Sequence, residues 1–174
     1  MPTIHLKETP MHTYGNLPAI GQAAPLFVAT APNLASVSLE NFRDKAIILN
    51  VYPSIDTQVC FKSVQKFNEE AQRHKEVAIV CISMDLPFAL KRISEAESLR
   101  HIIFLSDYRN REFGELYGLT IADGPMAGLL ARAVIVLDAN HHVVYHELVK
   151  DISNPPNYEL ALKALKNSKG HQAG

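Results

Sequence analysis

Cysteine and net charge are both scarce in this sequence. Its 174 residues include only two cysteines, which excludes a secreted scaffold held together by disulfides. The formal net charge of -1 gives no electrostatic reason to expect binding to nucleic acid or to an anionic membrane surface. No apolar stretch approaches the ~20 residues that a membrane-spanning helix needs. We therefore expect neither a nucleic-acid partner nor a membrane partner.

Motifs for cofactors, metals and export are missing as well. The sequence has no glycine-rich phosphate loop, no Cys-x-x-Cys pair and no Gly-x-Ser-x-Gly elbow. His142 and His146 can share a strand face, but no acidic residue or cysteine joins them at the spacing of a closed metal site. The first eight residues lack a basic-then-apolar signal region. We expect no cofactor, no metal and a cytoplasmic location.

Apolar runs alternate with helical patterns along the chain, which indicates an α/β fold. The predicted strands are 26–30, 46–51, 77–83, 102–105, 133–137 and 143–148. The predicted helices are 60–73, a short one after Asp85 that ends at about 94, 111–117 and 158–166. This order predicts a mixed central sheet flanked by helices on both faces. We expect a single domain over residues 1–174, with an N-terminal β-hairpin within 1–15 and a loose tail over 167–174.

The second predicted helix has a candidate cap at its start. Asp85 stands just before the helical pattern, where an acidic side chain can accept hydrogen bonds from the first helical N–H groups. Pro87 fits the first turn, because the missing N–H has no helical partner there. The sequence therefore predicts that Asp85 caps this helix.

Cys60 is the residue best placed for chemistry. It follows the buried strand 46–51, which Pro53 stops, and it begins an amphipathic helix with Val64 and Phe67 on the same stripe. In the first turn of a helix, free N–H groups and the positive end of the macrodipole favour an anion. The position therefore favours a thiolate, although a buried cysteine without chemistry is the alternative interpretation.

A helix N-terminus alone does not make a thiol mostly ionised. A free thiol with a pKa of ~8.5 is roughly 3% ionised at pH 7, and the helix end lowers a thiol pKa by about one unit. A nearby cation is therefore needed, and Arg132 is the only charge in the apolar run 129–137. A buried arginine requires an anionic partner, so we predict that Arg132 approaches Cys60. Alternatively, Arg132 begins its strand with its guanidinium in water.

Cys81 is the other thiol, and it lies within the predicted strand 77–83. Both faces of that run are apolar, as in a central strand covered on two sides. We expect Cys81 to be a small buried residue without a catalytic role. A disulfide with Cys60 is not expected, because it would have to reach into a core strand.

Several motifs around these residues resemble those of the bacterial thiol peroxidases, the atypical 2-Cys branch of the peroxiredoxins. They are residues 50–60 (Asn-Val-Tyr-Pro-Ser-Ile-Asp-Thr-Gln-Val-Cys), 82–89 (Ile-Ser-Met-Asp-Leu-Pro-Phe-Ala), 105–109 (Leu-Ser-Asp-Tyr-Arg) and 124–134 (Gly-Pro-Met-Ala-Gly-Leu-Leu-Ala-Arg-Ala-Val). The resemblance extends from about Gly15 to Leu165 and implies a thioredoxin-like fold. It also implies that the Cys60 thiolate reduces hydrogen peroxide or alkyl hydroperoxides and becomes a sulfenic acid.

The resemblance also assigns roles to the neighbours of Cys60. Pro53 shields the sulfur from bulk water, Thr57 reaches sulfur and peroxide, and Arg132 stabilises the thiolate and the leaving oxygen. For Thr57, a role as the helix N-cap is the alternative. Candidate residues for an apolar substrate approach, each of which is otherwise core, are Tyr52, Phe61, Met84 and Phe88. Thioredoxin is the implied reductant, and the implied homodimer packs near the active site.

Position 94 departs from the family pattern. A resolving cysteine is expected after the basic pair Lys91 and Arg92, but this chain has Ser94. Serine cannot form a disulfide, so an oxidised Cys60 must wait for an outside thiol or oxidise further. A natural variant and a deliberate exchange of Cys for Ser both fit, and the otherwise intact segment slightly favours the exchange. Two other functions stay open: a redox sensor that uses sulfenic Cys60 as a signal, and a thioredoxin-like structural domain without chemistry.

Overall fold

A seven-stranded mixed β-sheet forms the centre of the molecule. The computed structural model describes residues 1–171. The strands β1 to β9 are Thr3–Leu6, Thr9–His12, Val28–Thr30, Ser36–Ser38, Ile47–Val51, Ala78–Ser83, Ile103–Ser106, Ala133–Leu137 and Val143–Leu148. The helices α1 to α4 are Gln58–Arg73, Pro87–Ala96, Glu112–Leu116 and Tyr158–His171. The predicted α/β class, the thioredoxin-like mixed sheet and the N-terminal hairpin are confirmed.

The strand order explains how residues distant in sequence meet at one edge. The order is β4-β3-β7-β6-β5-β8-β9, and β5 pairs in parallel with β6 and antiparallel with β8. In the β5–β8 register, Val51 lies opposite Ala133. The chain leaves β5 at Val51 and enters β8 just after Arg132. Antiparallel pairing therefore places Arg132 beside the start of the loop that leads to Cys60.

The core consists of two clusters of buried side chains, one on each face of the sheet. Successive residues of β5 point to opposite faces, so Ile47 and Leu49 belong to one cluster and Ile48 to the other. One cluster includes side chains of the β1–β2 hairpin and α3, and the other includes side chains of α1, α2 and α4. All five residues of β5 are buried, which explains its continuous apolar pattern.

The last helix is longer than predicted. The predicted tail over 167–174 was wrong for residues 167–171, because α4 continues to His171. Ala161, Leu165 and Ser168 are buried at helical spacing, and the Ser168 hydroxyl donates to the Leu165 carbonyl at 2.7 Å. Packing of this stripe extends the helix through residues of modest helix propensity. Residues 172–174, the rest of the predicted tail, lie outside the described part of the chain.

The start of α2 also differs from the prediction. The N-cap is Leu86, which makes no side-chain capping hydrogen bond, and Pro87 is the first helical residue. Asp85 was wrongly predicted as the cap. Its carboxylate turns away from the helix and accepts hydrogen bonds from Ser54 and Ile55, on the loop before Cys60. These competing donors explain the difference.

Candidate active site

Cys60 lies in the first turn of α1 and is fully buried. The N-cap of this helix is Thr57, whose backbone is extended (φ -100°, ψ 149°). The Thr57 hydroxyl oxygen accepts a hydrogen bond from the Cys60 N–H at 3.3 Å, and the hydroxyl donates to the Ser54 carbonyl at 3.3 Å. The interpretation of Thr57 as the helix cap is therefore confirmed. The cap fixes the backbone that carries the sulfur.

Arg132 brings a positive charge directly to this sulfur. Its Nη2 donates to Cys60 Sγ at 3.2 Å and to the Ile152 carbonyl at 2.9 Å, and its Nε donates to the same carbonyl at 3.0 Å. Only 1% of Arg132 is exposed, so its guanidinium does not lie in water. The predicted approach of Arg132 to Cys60 is thus present in the structure, and the solvent-facing alternative is wrong.

In the part of the chain that the structure describes, no carboxylate balances the charge on Arg132. Within residues 1–171, no aspartate or glutamate forms a salt bridge with this guanidinium, and its Nη1 has no hydrogen-bond partner. A buried cation is costly unless an anion compensates it. Cys60 is the group in contact that can supply the negative charge. The Cys60 sulfur is therefore the atom on which the charge of Arg132 acts directly.

Two contributors to the site were not foreseen from the sequence. The Ile152 carbonyl accepts two hydrogen bonds from Arg132, and Tyr158, the first residue of α4, lies close to the same group. Burial raises the pKa of the Tyr158 hydroxyl, while Arg132 lowers it and Cys60 raises it. The Tyr158 ring packs edge-on against Phe67 of α1 at 5.3 Å between centroids. Every residue has a backbone carbonyl, so the sequence does not indicate that the Ile152 carbonyl binds Arg132. The pattern around Tyr158 predicts only the start of a helix.

A pocket of about 430 Å³ leads from the surface toward Arg132. It lies between the β1–β2 turn and the loop before α1, with Pro53, Thr57 and Arg132 among its lining residues. Further apolar lining comes from Leu6, Val59, Met126 and Ile152. Its volume lies within the ~300–1,000 Å³ range of small-molecule sites. The pocket is therefore large enough for a small molecule, and it ends at Arg132, the residue that contacts the Cys60 sulfur.

The four residues predicted as candidates for an apolar approach lie elsewhere. Tyr52 is fully buried, and burial raises the pKa of its hydroxyl well above the usual value. Met84 packs against the core, whereas Phe88 is 66% exposed. Phe61 lines a separate groove of about 250 Å³ between α1 and α2. None of the four lines the pocket at Arg132.

Cys81, the second thiol, is not placed to act as a nucleophile. Cys81 is fully buried in β6, and burial raises the pKa of its thiol to about 12. Asn50 donates a weak hydrogen bond from Nδ2 to the Cys81 sulfur at 3.7 Å, which opposes that shift. Both Cys60 and Cys81 are free thiols in the structure. Cys81 therefore stays protonated near neutral pH and lacks the thiolate that nucleophilic attack needs.

Ser94 lies on α2 and does not line the pocket at Arg132. Its hydroxyl donates to the Leu99 carbonyl at 3.3 Å. Its neighbour Ile93 lines the groove between α1 and α2, together with Thr57 and Phe61. Position 94 is thus the neighbour in sequence of a residue that lines this groove, whose other wall includes residues of the first turn of α1.

Across residues 1–171, no three histidine, cysteine, aspartate or glutamate side chains come together as a metal site. Over the same span, no helix has both the length and the apolar character required to cross a membrane.

Comparison with known proteins identifies close relatives over nearly the whole chain. The Redoxin family model matches residues 19–162. Thiol peroxidases of Mycobacterium tuberculosis and Mycobacterium bovis are each 48% identical to this chain, over 95% of this chain and 99% of theirs. A peroxiredoxin-like protein from Aquifex aeolicus superposes with a TM-score of 0.91 at 34% identity, over 97% of this chain and 98% of that one. The thiol peroxidase from Chromobacterium violaceum has the same fold, with a TM-score of 0.89 at 22% identity over 99% and 98% of the two chains.

Proposed function

The chain belongs to the Redoxin family and matches thiol peroxidases over nearly its whole length, and from that premise we propose that it reduces hydroperoxides through Cys60. It is a thiol-dependent peroxidase whose substrates are hydrogen peroxide and alkyl hydroperoxides. The observation that carries the proposal is the 3.2 Å contact between Arg132 Nη2 and Cys60 Sγ, in an interior where Arg132 has no carboxylate partner within residues 1–171.

The first chemical step is attack of the Cys60 thiolate on the distal peroxide oxygen. An S–O bond forms while the O–O bond breaks, so the sulfur is oxidised by two electrons and the peroxide is reduced. The leaving oxygen takes a proton and departs as water or an alcohol. Arg132 acts twice, because Nη2 holds the thiolate and the unpartnered Nη1 can donate to the oxygen on which charge develops.

Pro53 and Thr57 shape the place where the peroxide binds. Both line the pocket that leads to Arg132. Pro53 has no backbone N–H and presents an apolar ring, so it keeps water away from the sulfur. Thr57 caps α1 and orients the Cys60 N–H, and it also lines the pocket in which the peroxide would bind. Exclusion of water strengthens the electrostatic contacts within the site.

Return to the thiolate requires a second thiol. In the complete cycle, a cysteine at position 94 would attack the sulfenic acid and form a disulfide with Cys60. Thioredoxin would then reduce this disulfide. Since this chain has Ser94, its sulfenic acid waits for an external thiol. The redox-sensor alternative draws on the same missing thiol, but the named relatives are peroxidases and do not favour it.

Assembly and location complete the proposal. We place the enzyme in the cytoplasm as a homodimer that packs through surface near the active site. Leu86 and Phe88, at the start of α2, support this surface, because they are 54% and 66% exposed although both are large apolar residues.

The proposal is tested by peroxide-driven turnover of the chain beside its Ser94→Cys variant. Both are expected to consume one equivalent of peroxide rapidly, and only Ser94→Cys should then cycle efficiently with thioredoxin. Ser36→Cys is the matched control, because it adds an exposed thiol on β4, at the far edge of the sheet. Equal cycling of the three proteins would contradict the role of position 94. A chain whose Cys60 consumes no peroxide would contradict the proposed function.

A further inference from the structure

We infer that Asp85 is a positioning residue for the peroxidase reaction: its carboxylate holds the loop before Cys60 in the conformation that reacts. The inference rests on the proposed function and adds a residue that touches neither the sulfur nor the pocket at Arg132. The loop consists of residues 52–57, between β5 and α1. Asp85 lies on the connection between β6 and α2, so it joins two segments that are about thirty residues apart in sequence.

On its own side, Asp85 is anchored to the ends of two sheet strands. Ser83, the last residue of β6, donates its hydroxyl to Asp85 Oδ2 at 2.6 Å and accepts from the Asp85 N–H at 3.3 Å. Ser106, the last residue of β7, donates its hydroxyl to the Asp85 carbonyl at 2.5 Å. Both serines are fully buried. The carboxylate is therefore held from the rigid part of the fold.

On the other side, the same carboxylate holds the loop. The Ser54 hydroxyl donates to Asp85 Oδ1 at 2.8 Å, and the Ile55 N–H donates to Asp85 Oδ2 at 2.8 Å. Both carboxylate oxygens are thus used, and three donors converge on one side chain. Hydrogen bonds to an ionised acceptor are shorter and stronger than those between neutral groups. This contact fixes both a side chain and the backbone of the loop.

From Ser54 a chain of hydrogen bonds continues to Cys60. The Ser54 carbonyl accepts from the Thr57 hydroxyl and from the Thr57 N–H, each at 3.3 Å. The Thr57 hydroxyl oxygen then accepts from the Cys60 N–H at 3.3 Å. Asp85 is therefore connected to the Cys60 backbone through Ser54 and Thr57. A shift in the loop moves Thr57 and Pro53 relative to the sulfur, and small misplacements of reacting groups lower rates strongly.

Asp85→Asn is the test that preserves shape and removes the function of the carboxylate. The asparagine amide has only one acceptor oxygen. Its NH₂ group would face a hydrogen-bond donor where the carboxylate has its second oxygen. We expect oxidation of Cys60 by hydrogen peroxide to be about ten times slower, measured in a single turnover by trapping the sulfenic acid and by mass spectrometry. Hydrogen exchange at the Ile55 and Cys60 amides should become faster. Asp138→Asn is the matched control, because Asp138 accepts N–H bonds in the β8–β9 turn, and it should behave as the parent chain.

Ser54 provides a second, milder variant of the same connection. Ser54→Ala removes the hydrogen bond from the Ser54 hydroxyl to Asp85 and should slow the oxidation of Cys60 by a few-fold. Ser54→Thr keeps the hydroxyl and should restore the rate. In the double variant with Asp85→Asn, the two effects should combine to less than their product, because both act through Ser54.

Three results would overturn the inference: an Asp85→Asn variant that is oxidised at the parent rate, a slow variant with unchanged exchange at Cys60, or fully multiplicative effects. If the parent Cys60 resists peroxide, the proposed function fails, and amide exchange still decides whether Asp85 holds the loop.

Discussion

At the scale of single residues, the proposed site places two sources of positive potential beside one sulfur: the start of α1 and the guanidinium of Arg132. The start of α1 contributes ~0.3–1 kcal/mol to an anion at its N-terminus, and up to about 2 in a partly buried setting. A hydrogen bond to a charged group contributes about 1.5–3 kcal/mol, and the 3.2 Å contact from Arg132 is of this kind. The guanidinium is therefore the larger of the two contributions, and the helix end is the smaller.

Arg132→Lys is the most direct test of that ranking. Lysine keeps the charge but loses the paired contact of Nε and Nη2 with the Ile152 carbonyl, which fixes the guanidinium beside the Cys60 sulfur, since it lacks the planar fork. We expect the rate constant for peroxide oxidation to fall about 10²–10³-fold, the loss found when one donor to a developing oxyanion is removed. Stopped-flow oxidation at neutral pH measures it.

Arg109→Lys is the control for this substitution, because Arg109 is exposed and contacts only the Tyr108 side chain among the described residues. It should leave the rate unchanged. An Arg132→Lys enzyme as fast as the parent would show that point charge alone suffices and that the fork geometry has no role.

Thr57→Val tests the capping hydrogen bond of Thr57 without a large change in side-chain volume. Valine has nearly the shape of threonine but no hydroxyl, so the Cys60 N–H loses its acceptor. The free energy of unfolding should fall by about 1 kcal/mol, as for other lost N-caps. Urea unfolding measures it. Thr57→Ser keeps the hydroxyl and should lie close to the parent, and a Thr57→Val chain of unchanged stability would contradict the capping role.

The sequence predicted part of this site and missed part of it. Cys60 and Arg132 could be paired in advance, because a charge inside an apolar run and a thiol at a helix start each imply a partner of opposite charge. Asp85 was misassigned, because its real partners, Ser54 and Ile55, lie on a distant loop whose path follows from the whole fold. The contact of the Ile152 carbonyl with Arg132 likewise depends on the path of the chain in the whole fold.

At the scale of elements, the strongly patterned segments were predicted and the weakly patterned ones were not. The buried strand β5 and the amphipathic helix α1 have clear apolar periods, and both lie within two residues of their predicted bounds. β4 was missed, because Ser-Val-Ser has too little apolar character to stand out, and only pairing with β3 makes it a strand. The end of α4 is likewise set by packing.

The N-terminal hairpin is tied to the loop that lines the pocket. Asp123 accepts hydrogen bonds from the His12 N–H and from His12 Nδ1, each at 2.7 Å, and the Ala122 N–H donates to the His12 carbonyl. This loop continues to Met126 at the pocket wall. The hydrogen bonds from His12, first from its side chain and then from its backbone, hold the pKa of the Asp123 carboxyl below its usual 3.8.

This contact predicts a pH-dependent stability difference. A carboxyl whose folded pKa lies below its unfolded value stabilises the fold above the unfolded pKa, and this contribution is lost as the pH falls through the folded pKa. Asp123→Asn should therefore lower the midpoint of thermal unfolding near neutral pH, and the difference from the parent should shrink below pH 3.8. A difference that grew toward acid pH would contradict this assignment. Asp44→Asn, an exposed substitution, serves as the control.

At the scale of the whole molecule, the mixed sheet is what assembles the site. Parallel pairing of β5 with β6 brings the loop before α1 beside the loop before α2, and antiparallel pairing of β5 with β8 brings Arg132 to the same edge. The class of fold followed from the alternation of strands and helices together with the family resemblance. The strand order could not be read from local pattern, because it depends on which edges pair across long stretches of chain.

The proposed homodimer gives a prediction at this scale. If Leu86 and Phe88 are covered by a second copy, Phe88→Glu places a charge in an apolar contact and should convert dimer to monomer. Light scattering coupled to size-exclusion chromatography measures the mass. Leu160→Glu is the control, because Leu160 is a similarly exposed apolar residue on α4, and it should leave the dimer intact. A parent chain that elutes as a monomer would contradict the assembly.

The pairing of the buried Arg132 guanidinium with the Cys60 sulfur also has a consequence for the lifetime of the protein. Once Cys60 becomes a neutral sulfenic acid, the buried cation would lose the negative charge that the proposed thiolate supplies, and we expect the spent form to open more often than the fresh one. Proteases cleave chains that open more often. Molecules that have stopped after one turnover would thus be degraded first, and proteolysis would remove the oxidised form faster than the reduced form.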